Sequence, residues 1–326
     1  MMWRPALILV LLIVLIGSVL IQPVLGKEYP TKPIELLCPF PAGGSIDLYS
    51  RLVADRVSRH LGQPMIVINK PGGAGTTVAA DMISSKPDGY KLGVLFNDYF
   101  SIVVKTQKIP FDPSHVIPLM TFAELKVGLK VKGDSPWKTL KDLLDYARKN
   151  PGKLRWGHSG RGLLTHINPT LIFRKAGVET IDIPYKGAPE SITALLGGHI
   201  DAIVQPYGAV AGHIKAGTIR YVVFFSDRRY SDPSDVPCAL ELGFPEASKI
   251  MAMIGVFAHK DTPEEVRKIL SDAFKKTFED PEFKKGIEKI GDEPRFGGPE
   301  LMIESIKRQE EVTIPILKEL GTYVGN

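Results

Sequence analysis

Cysteine is scarce in this chain, which has two, Cys38 and Cys238, among 326 residues. There is no Cys-x-x-Cys pair and no paired histidine pattern, so we expect no metal site. Cys38 lies in an apolar run and Cys238 follows a loop proline far along the chain, so sequence leaves a disulfide between them open. We favour two unpaired, mostly buried thiols, because free cysteine packs as a small hydrophobe.

The chain also lacks a strong excess of one charge. Its 41 Lys and Arg residues against 36 Asp and Glu residues give a formal net charge of +5. Basic residues are scattered among acidic ones, as in Lys307–Glu311, without the aromatic interleaving of a nucleic-acid surface. Nucleic acid is therefore not an expected partner. A mild positive balance suits a protein that receives small anions.

Long apolar runs are confined to the N-terminus. Arg4 precedes apolar residues 6–16 and 19–21, and small residues follow. This order is typical of a secretory signal peptide, here residues 1–26 with cleavage before Lys27, and it predicts a periplasmic mature protein. The run falls short of the ~20 residues of a spanning helix, although an uncleaved anchor stays open as an alternative.

Catalytic and nucleotide-binding signatures are incomplete. Gly157–Arg161 begins like a nucleophile elbow, but an arginine stands where the last glycine is required. Gly73–Val78 begins like a dinucleotide fingerprint, with a valine in place of the third glycine, and no Walker sequence is present. We therefore expect neither an enzyme nor a cofactor. A periplasmic hydrolase that uses Ser45 or Ser159 is the less favoured alternative.

Two glycine-rich turns follow apolar strands early in the mature chain. Residues 39–47 read PFPAGGSID, and residues 69–77 read NKPGGAGTT. Each turn precedes a helical pattern, and glycine permits positive φ and close approach of a ligand to the backbone. The free N–H groups and the dipole of a helix start favour a negative group. The pair of turns predicts a pocket for a small anion, in particular a carboxylate.

Strand and helix patterns alternate along the chain, beginning with a predicted strand over residues 34–38 and a predicted amphipathic helix over residues 46–61. The alternation predicts an α/β protein with largely parallel sheets. The strands are too many for one small sheet, which favours two sheets. If the chain crosses between two domains, it does so through short segments near 121–126 and 245–251. Ligands bind beyond the carboxyl ends of strands in such sheets, where both glycine-rich turns lie.

An ordered series of short motifs runs through almost the whole mature chain. In order they are YPTKPI (29–34), PFPAGGSID (39–47), LGQP (61–64), the second turn, PDGY (87–90), NPGKL (150–154), IPYKG (183–187) and LLGGHID (195–201). In this series the chain resembles the Bug-type periplasmic solute-binding proteins, the extracytoplasmic component of tripartite tricarboxylate transporters. The resemblance implies a two-lobed type II periplasmic-binding-protein fold with a ligand cleft between the lobes. We accordingly place lobe 1 at residues 27–123 and 250–326 and lobe 2 at residues 124–249. It also implies a small organic anion as ligand and membrane transporter subunits as partners, and we expect a monomer.

Candidate ligand-binding residues lie in the turns that follow strand ends. In lobe 1 they are Phe40, Ala42, Gly43, Gly44, Ser45, Asp47, Gly75, Thr76 and Asn97. In lobe 2 they are Gly157, Ser159, Arg161, Gly187 and Gln205. We expect backbone amides of Gly43, Gly44 and Gly75 to hold one end of the ligand together with Ser45, although Asp47 also suits a helix cap.

The third turn departs from the pattern that the resemblance implies. Family members carry small or hydroxylated residues there, whereas this chain has Leu163 and Leu164. We hypothesise that Arg161 takes the place of those hydroxylated residues and makes a direct bidentate contact to a ligand carboxylate. His166 is interpreted as a helix-start or core residue. Gln205 stands where family members often have an acidic residue, which disfavours a cationic amine on the ligand. A sensor that presents its ligand to a receptor fits the same residues and stays open.

Overall fold

The computed structural model describes residues 29–325. The predicted signal peptide, residues 1–26, and its cleavage site lie outside the described residues. Within residues 29–325, no helix combines the length and apolar character needed to cross a membrane. Cys38 and Cys238 are both buried and unpaired, as predicted.

The strands build two sheets. They are β1 (Ile34–Cys38), β2 (Met65–Asn69), β3 (Lys91–Phe96), β4 (Val116–Leu125), β5 (Val127–Lys132), β6 (Leu154–His158), β7 (Thr180–Pro184), β8 (Ala202–Pro206), β9 (Ile219–Phe224), β10 (Ala252–His259) and β11 (Glu293–Gly297). The first sheet has the order β11-β4-β10-β3-β1-β2, and the second has the order β7-β6-β8-β5-β9. Each sheet is the centre of one lobe.

Helices cover the faces of the sheets. They are α1 (Ser45–Leu61), α2 (Thr76–Ser84), α3 (Leu140–Lys149), α4 (Leu164–Lys175), α5 (Ala188–Leu196), α6 (Tyr207–Lys215), α7 (Pro245–Ser248), α8 (Glu264–Glu279), α9 (Pro281–Ile290) and α10 (Pro299–Glu319), with short helical turns at Gly73–Gly75, Tyr99–Val103, Val104–Thr106 and Pro113–His115. In α1 the buried side chains recur every three or four residues, as Tyr49, Val53 and Val57 do. This spacing places one apolar stripe of the helix against the first sheet.

The crossing between the sheets is short. β4 ends at Leu125 and β5 begins at Val127, so Lys126 alone joins them. The chain returns to the first sheet between β9 and β10. The predicted boundaries of the lobes stay a prediction, but the first crossing falls inside the expected segment 121–126.

The expectation of largely parallel sheets is wrong. β1 is parallel to β2 and β3, and β6 is parallel to β7 and β8. However, β10 is antiparallel to β3 and β4, β11 is antiparallel to β4, and β5 is antiparallel to β8 and β9. The physical reason is the crossing: β5 and β10 arrive from the other lobe, without the helical crossover that makes neighbouring strands parallel.

Candidate functional site

Two helices from different lobes begin at the same place in the cleft. α1 starts after Gly44 with no side-chain cap, and α6 starts at Tyr207, likewise uncapped. A Cβ atom added to Gly208 would lie 3.1 Å from both Cβ and Oγ of Ser45. The first N–H groups of a helix have no intrahelical acceptor, and its dipole is positive at this end. The cleft is therefore lined here by two positive helix ends, with the Ser45 hydroxyl between them.

Asp47 anchors the first glycine-rich turn from the inside. Its carboxylate accepts hydrogen bonds from the Gly43 N–H, the Arg51 Nε and the Asn69 Nδ2, each at 2.9 Å. Burial raises the pKa of Asp47, but these hydrogen bonds outweigh it and hold the pKa at about 2. The Gly43 N–H, which we expected to hold the ligand, is therefore bonded to Asp47, whose carboxylate has the internal role that its position near the helix start allows.

Part of the first glycine-rich turn is exposed. Phe40, Ala42 and Gly44 are exposed, and Ser45 is half-buried. The Phe40 ring meets Phe96 edge to face, with centroids 6.0 Å apart. Gly44 and Ser45 therefore remain the candidates from this turn that can reach a ligand.

The second glycine-rich turn has a left-handed backbone. Gly72, Gly73, Ala74 and Gly75 all have positive φ. A Cβ atom on Gly75 would lie 2.9 Å from Cδ2 of Leu95, so glycine is required there by both conformation and space. Gly75 is buried, whereas Thr76, the first residue of α2, is half-buried. Gly75 therefore packs inside the protein and allows the turn to form, and it does not contribute to the exposed surface of the turn.

Asn97 is a structural residue, which contradicts its predicted ligand contact. It is fully buried. Its Nδ2 donates to the Met251 carbonyl at 2.8 Å and to Ser305 Oγ at 2.7 Å, while its Oδ1 accepts the N–H groups of Met253 and Asp98 at 2.9 and 3.0 Å. An asparagine amide has two donors and one oxygen acceptor, and all are engaged. The side chain ties the end of β3 to β10 and α10.

Arg161 also has an internal partner. Its Nε donates to Asp182 Oδ2 at 2.8 Å and its Nη2 to Asp182 Oδ1 at 3.0 Å. The guanidinium forms the predicted bidentate pair with a carboxylate, but the carboxylate belongs to β7 of the same chain. The hypothesis that Arg161 contacts the ligand is therefore not supported. The sequence does not indicate the pairing with Asp182, because Asp182 lies on a separate strand, β7.

His158 and His166 complete the surroundings of Asp182. Nε2 of His158 lies 3.1 Å and Nε2 of His166 lies 3.8 Å from Asp182 Oδ2. Burial lowers the pKa of His158, and burial together with the neighbouring His158 lowers the pKa of His166 to about 4. Burial raises the pKa of Asp182, but hydrogen bonds from Arg161 and His158 leave it below its usual value. A neutral imidazole pair thus faces an ionised carboxylate.

The donor atoms of His158, His166 and Asp182 lie within 4.8 Å of one another, as in a metal site. However, the N–H groups of Gly160 and Gly162 donate to Nδ1 of His158 and His166, at 3.1 and 3.3 Å. Each neutral ring must then carry its proton on Nε2, which leaves no lone pair there for a metal. His158 and Arg161 are hydrogen-bonded to Asp182 and His166 lies beside it, and these contacts hold the third turn.

Gln205 and Ser159 form the polar floor of the second lobe. The Ser159 hydroxyl donates to Gln205 Oε1 at 3.2 Å, and Gln205 Nε2 donates to Ser191 Oγ at 3.0 Å. Gln205 is buried and Ser159 is half-buried. These two hydrogen bonds join the third turn, the end of β8 and helix α5. The N-terminal cap of α5 is the half-buried Gly187. The structure therefore brings Ser159, Gln205 and Gly187 to one end of the second sheet.

Gly157 acts as a spacer. A Cβ atom there would lie 2.8 Å from Cδ1 of Ile200 and 3.0 Å from the Tyr185 ring. The residue is buried in β6, so its predicted ligand contact is not supported. The missing side chain makes room for the aromatic ring that follows β7.

A buried acid that sequence reasoning missed, Asp292, contacts the crossing residue Lys126. Asp292 Oδ1 accepts the Lys126 N–H at 2.7 Å, and Asp292 Oδ2 accepts the Tyr49 hydroxyl at 2.6 Å. The Lys126 Nζ lies 3.1 Å from Glu293 Oε1. A Cβ atom on Gly291 would overlap the Tyr207 ring at 2.2 Å. First-lobe groups therefore contact both the crossing residue and the start of α6.

The chain is similar in sequence to known proteins over most of its length. Residues 49–322 match the family described as "Tripartite tricarboxylate transporter family receptor". The chain is 34% identical over 301 residues to the "UPF0065 protein in gbd 5'region" of Cupriavidus necator, covering 91% of this chain and 90% of that protein. It is 30% identical over 228 residues to Protein BugT of Bordetella pertussis, covering 69% and 70%.

Solved structures with the same fold include two from Rhodopseudomonas palustris. One is described as "R. palustris Rpa4515 with adipate", with a TM-score of 0.77 and 26% identity over 90% of this chain and 99% of that chain. Another is MatC (Rpa3494) "with bound malate", with a TM-score of 0.71 and 25% identity over 87% of this chain and 100% of that chain.

Proposed function

Because this chain belongs to the tripartite tricarboxylate transporter family of receptors, the Bug-type solute-binding proteins, we propose that it captures a small organic carboxylate between its lobes. Membership confirms the resemblance drawn from the motif series. The solved relatives confirm the two-lobed type II periplasmic-binding fold. The captured anion is then delivered to the membrane subunits of a tripartite tricarboxylate-type transporter.

The observation that carries the proposal is the meeting of two uncapped helix starts at Ser45 and Gly208. Each start offers N–H donors and a partial positive charge. A carboxylate that binds beside this contact accepts hydrogen bonds from both lobes, so it favours the closed arrangement. Gly44, Ser45 and Thr76 contribute from the first lobe, and Ser159, Gly187 and Gln205 from the second.

The chemistry of the ligand follows from the donors. The candidate set contains N–H groups, hydroxyls and one neutral amide, which suit carboxylate and hydroxyl oxygens. The relatives solved with adipate and with malate hold dicarboxylates, which supports the same class for this chain. Exclusion of water on closure strengthens each polar contact.

The role is binding without turnover, in the periplasm. The Ser159 hydroxyl donates to Gln205 Oε1 rather than to a base, so the geometry offers no activated nucleophile there. Transport is favoured over the sensor alternative by family membership. A hydrolase or a sensor would be revealed by ligand conversion or by binding of a receptor other than a permease.

The first test is a thermal-shift screen of residues 27–326 against mono-, di- and tricarboxylates, with amino acids and sugars as controls. A ligand that binds only the folded state raises the melting temperature. We expect a selective shift with a carboxylate, and recovery of that carboxylate unchanged. A shift with sugars or amines alone would contradict the proposal.

The second test uses two glycines of α6. In Gly208→Val the added side chain meets Ser45, whereas the position of Gly212 has no heavy atom within 4 Å of an added Cβ. We expect Gly208→Val to weaken carboxylate affinity at least tenfold by obstructing closure, while Gly212→Val binds like the wild type. Isothermal titration calorimetry measures both. Equal affinities would show that the Ser45–Gly208 approach is not part of the site.

A further inference from the structure

Lys130 is a lysine buried in the middle of the second sheet. Its side chain in β5 is fully buried, and its Nζ donates to the Gly128 carbonyl at 2.9 Å and to the Gln205 carbonyl at 2.5 Å. The Tyr221 ring centroid lies 4.2 Å from the same nitrogen. Among the described residues, no carboxylate forms an ion pair with Lys130.

This nitrogen is hydrogen-bonded to the main chain of Gln205, a residue of the proposed ligand site. The main chain of Gln205 accepts the Lys130 hydrogen bond, while the side chain of the same residue accepts the Ser159 hydroxyl at 3.2 Å. Gln205 therefore contacts Lys130 through its main chain and the third turn through its side chain. Lys130 is one residue removed from groups that we propose to contact the anion.

The charged and titratable groups around Lys130 are already engaged elsewhere. Asp292, which raises the pKa of Lys130, accepts hydrogen bonds from Tyr49 and the Lys126 N–H. The Lys126 Nζ is paired with Glu293. Tyr221 and Tyr207 both have a pKa raised by burial, so they stay uncharged near neutral pH. None of these groups supplies a close negative charge.

An unpaired ammonium in such a place is unfavourable. Burial of a lone charge is strongly penalised, and lysine responds by losing its proton. Burial does lower the pKa of Lys130 well below its ordinary value. The surroundings nevertheless provide three acceptors, two carbonyls and the face of Tyr221, which match the three N–H bonds of an ammonium. The site can therefore hold either form.

We propose that Lys130 is the counter-charge of the cleft, taking up one proton from solvent when a carboxylate binds, so that the neutral amine becomes an ammonium facing the anion. The inference rests on the proposed function and adds proton linkage to it. The anion supplies the missing negative charge in a closed, water-poor site, and the new N–H reaches the Tyr221 ring. Affinity for the carboxylate must then fall as pH rises.

The experiment is calorimetry of residues 27–326 with malate, and with adipate if malate does not bind. Titration at one pH in phosphate and in Tris, whose ionisation enthalpies differ, counts the protons taken up per ligand. We expect uptake of up to one proton in the wild type and none in Lys130→Met, which binds at least tenfold more weakly at pH 6. Wild-type affinity falls from pH 6 to pH 9, and that of Lys130→Met stays flat.

Lys132→Met is the matched control. Lys132 lies two residues along β5, and its exposed Nζ is 3.3 Å from Asp134. This variant should keep both the proton uptake and the pH dependence. If Lys130→Met fails to fold, the ¹³Cε shift of Lys130 in the wild type, with and without ligand, reports the same protonation directly.

The outcomes separate the two proposals. Carboxylate binding without proton uptake, or uptake that persists in Lys130→Met, overturns the role of Lys130 and leaves the proposed function standing. If no carboxylate in the screen binds, both the role of Lys130 and the proposed function are overturned. Uptake that disappears only in Lys130→Met, with Lys132→Met unchanged, supports the inference.

Discussion

Replacement of Asn97 by alanine tests whether this residue serves the fold or the ligand. The change removes four hydrogen bonds, to the Met251 carbonyl, the Ser305 hydroxyl and the N–H groups of Met253 and Asp98. The Met251 carbonyl keeps a second donor, Gln309 Nε2 at 2.5 Å. The Met253 N–H, in a residue only 2% exposed, loses its acceptor within the core.

The magnitude follows from these contacts. A buried donor left without a partner costs about 1–3 kcal/mol, and a lost bond to a group that keeps a partner costs about 1 kcal/mol. We therefore expect Asn97→Ala to lower the free energy of unfolding by about 2–4 kcal/mol. Urea unfolding followed by circular dichroism measures this change. Calorimetry without urea, at a temperature well below the melting point, measures ligand affinity.

The control is Asn150→Ala. Asn150 Nδ2 makes a single side-chain bond, to the Tyr146 carbonyl at 2.9 Å, and the residue is half-buried. It should lower the free energy of unfolding by about 1 kcal/mol or less. We expect both variants to keep ligand affinity within about twofold. If Asn97→Ala retains its stability but binds the carboxylate tenfold more weakly, the structural reasoning fails and the ligand contact predicted from sequence stands.

Two further substitutions probe the third turn. The Arg161 guanidinium is paired with Asp182 and is 64% exposed, so Arg161→Ala should lower the free energy of unfolding by less than about 1 kcal/mol. Ligand affinity measured by calorimetry should change less than threefold. A tenfold loss of affinity would support the hypothesis that Arg161 contacts the ligand directly. The buried His166 has a folded pKa of about 4 against an ordinary 6.5, so the unfolded state binds the proton first and stability falls as pH drops from about 6.5 to about 4. The loss is at most about 3.5 kcal/mol, at about 1.4 kcal/mol per pKa unit. Urea unfolding at pH 7.5 and 4.5 should show that His166→Gln loses less stability than the wild type, and an equal loss would assign the effect to other groups.

Sequence predicted best those elements whose pattern is local. The strand over residues 34–38 and the helix near residues 46–61 need only neighbouring residues, and both are confirmed. β4 and β5 were not identified as strands, because Pro118 and Thr121 interrupt the apolar run of β4 and a lysine occupies the centre of β5. These two strands carry the crossing, so the error in strand direction has the same origin.

The glycine-rich turns stay a prediction of the site, whereas several atoms expected to contact the ligand have partners within the protein. Glycine-rich turns after strands mark helix starts, and the approach of Ser45 to Gly208 follows from that feature. The errors at Gly43, Asn97 and Arg161 share one cause. Each was expected to have free polar groups, but the acceptor or donor that satisfies it is set by tertiary contact rather than by a motif, as Asn97 shows with partners in β10 and α10.

The central place of β10 determines the order in which the two lobes can be completed. β10 lies between β3 and β4, so neither strand has its final neighbour until the chain has passed through all of β5 to β9. The second sheet can close from one continuous stretch, whereas the first must bring distant segments together. During synthesis and export, the open sides of β3 and β4 therefore remain available for pairing with other chains. A chain that stops before Ala252 contains every strand of the second sheet but lacks β10 and β11, so one side of β3 and both sides of β4 stay unpaired.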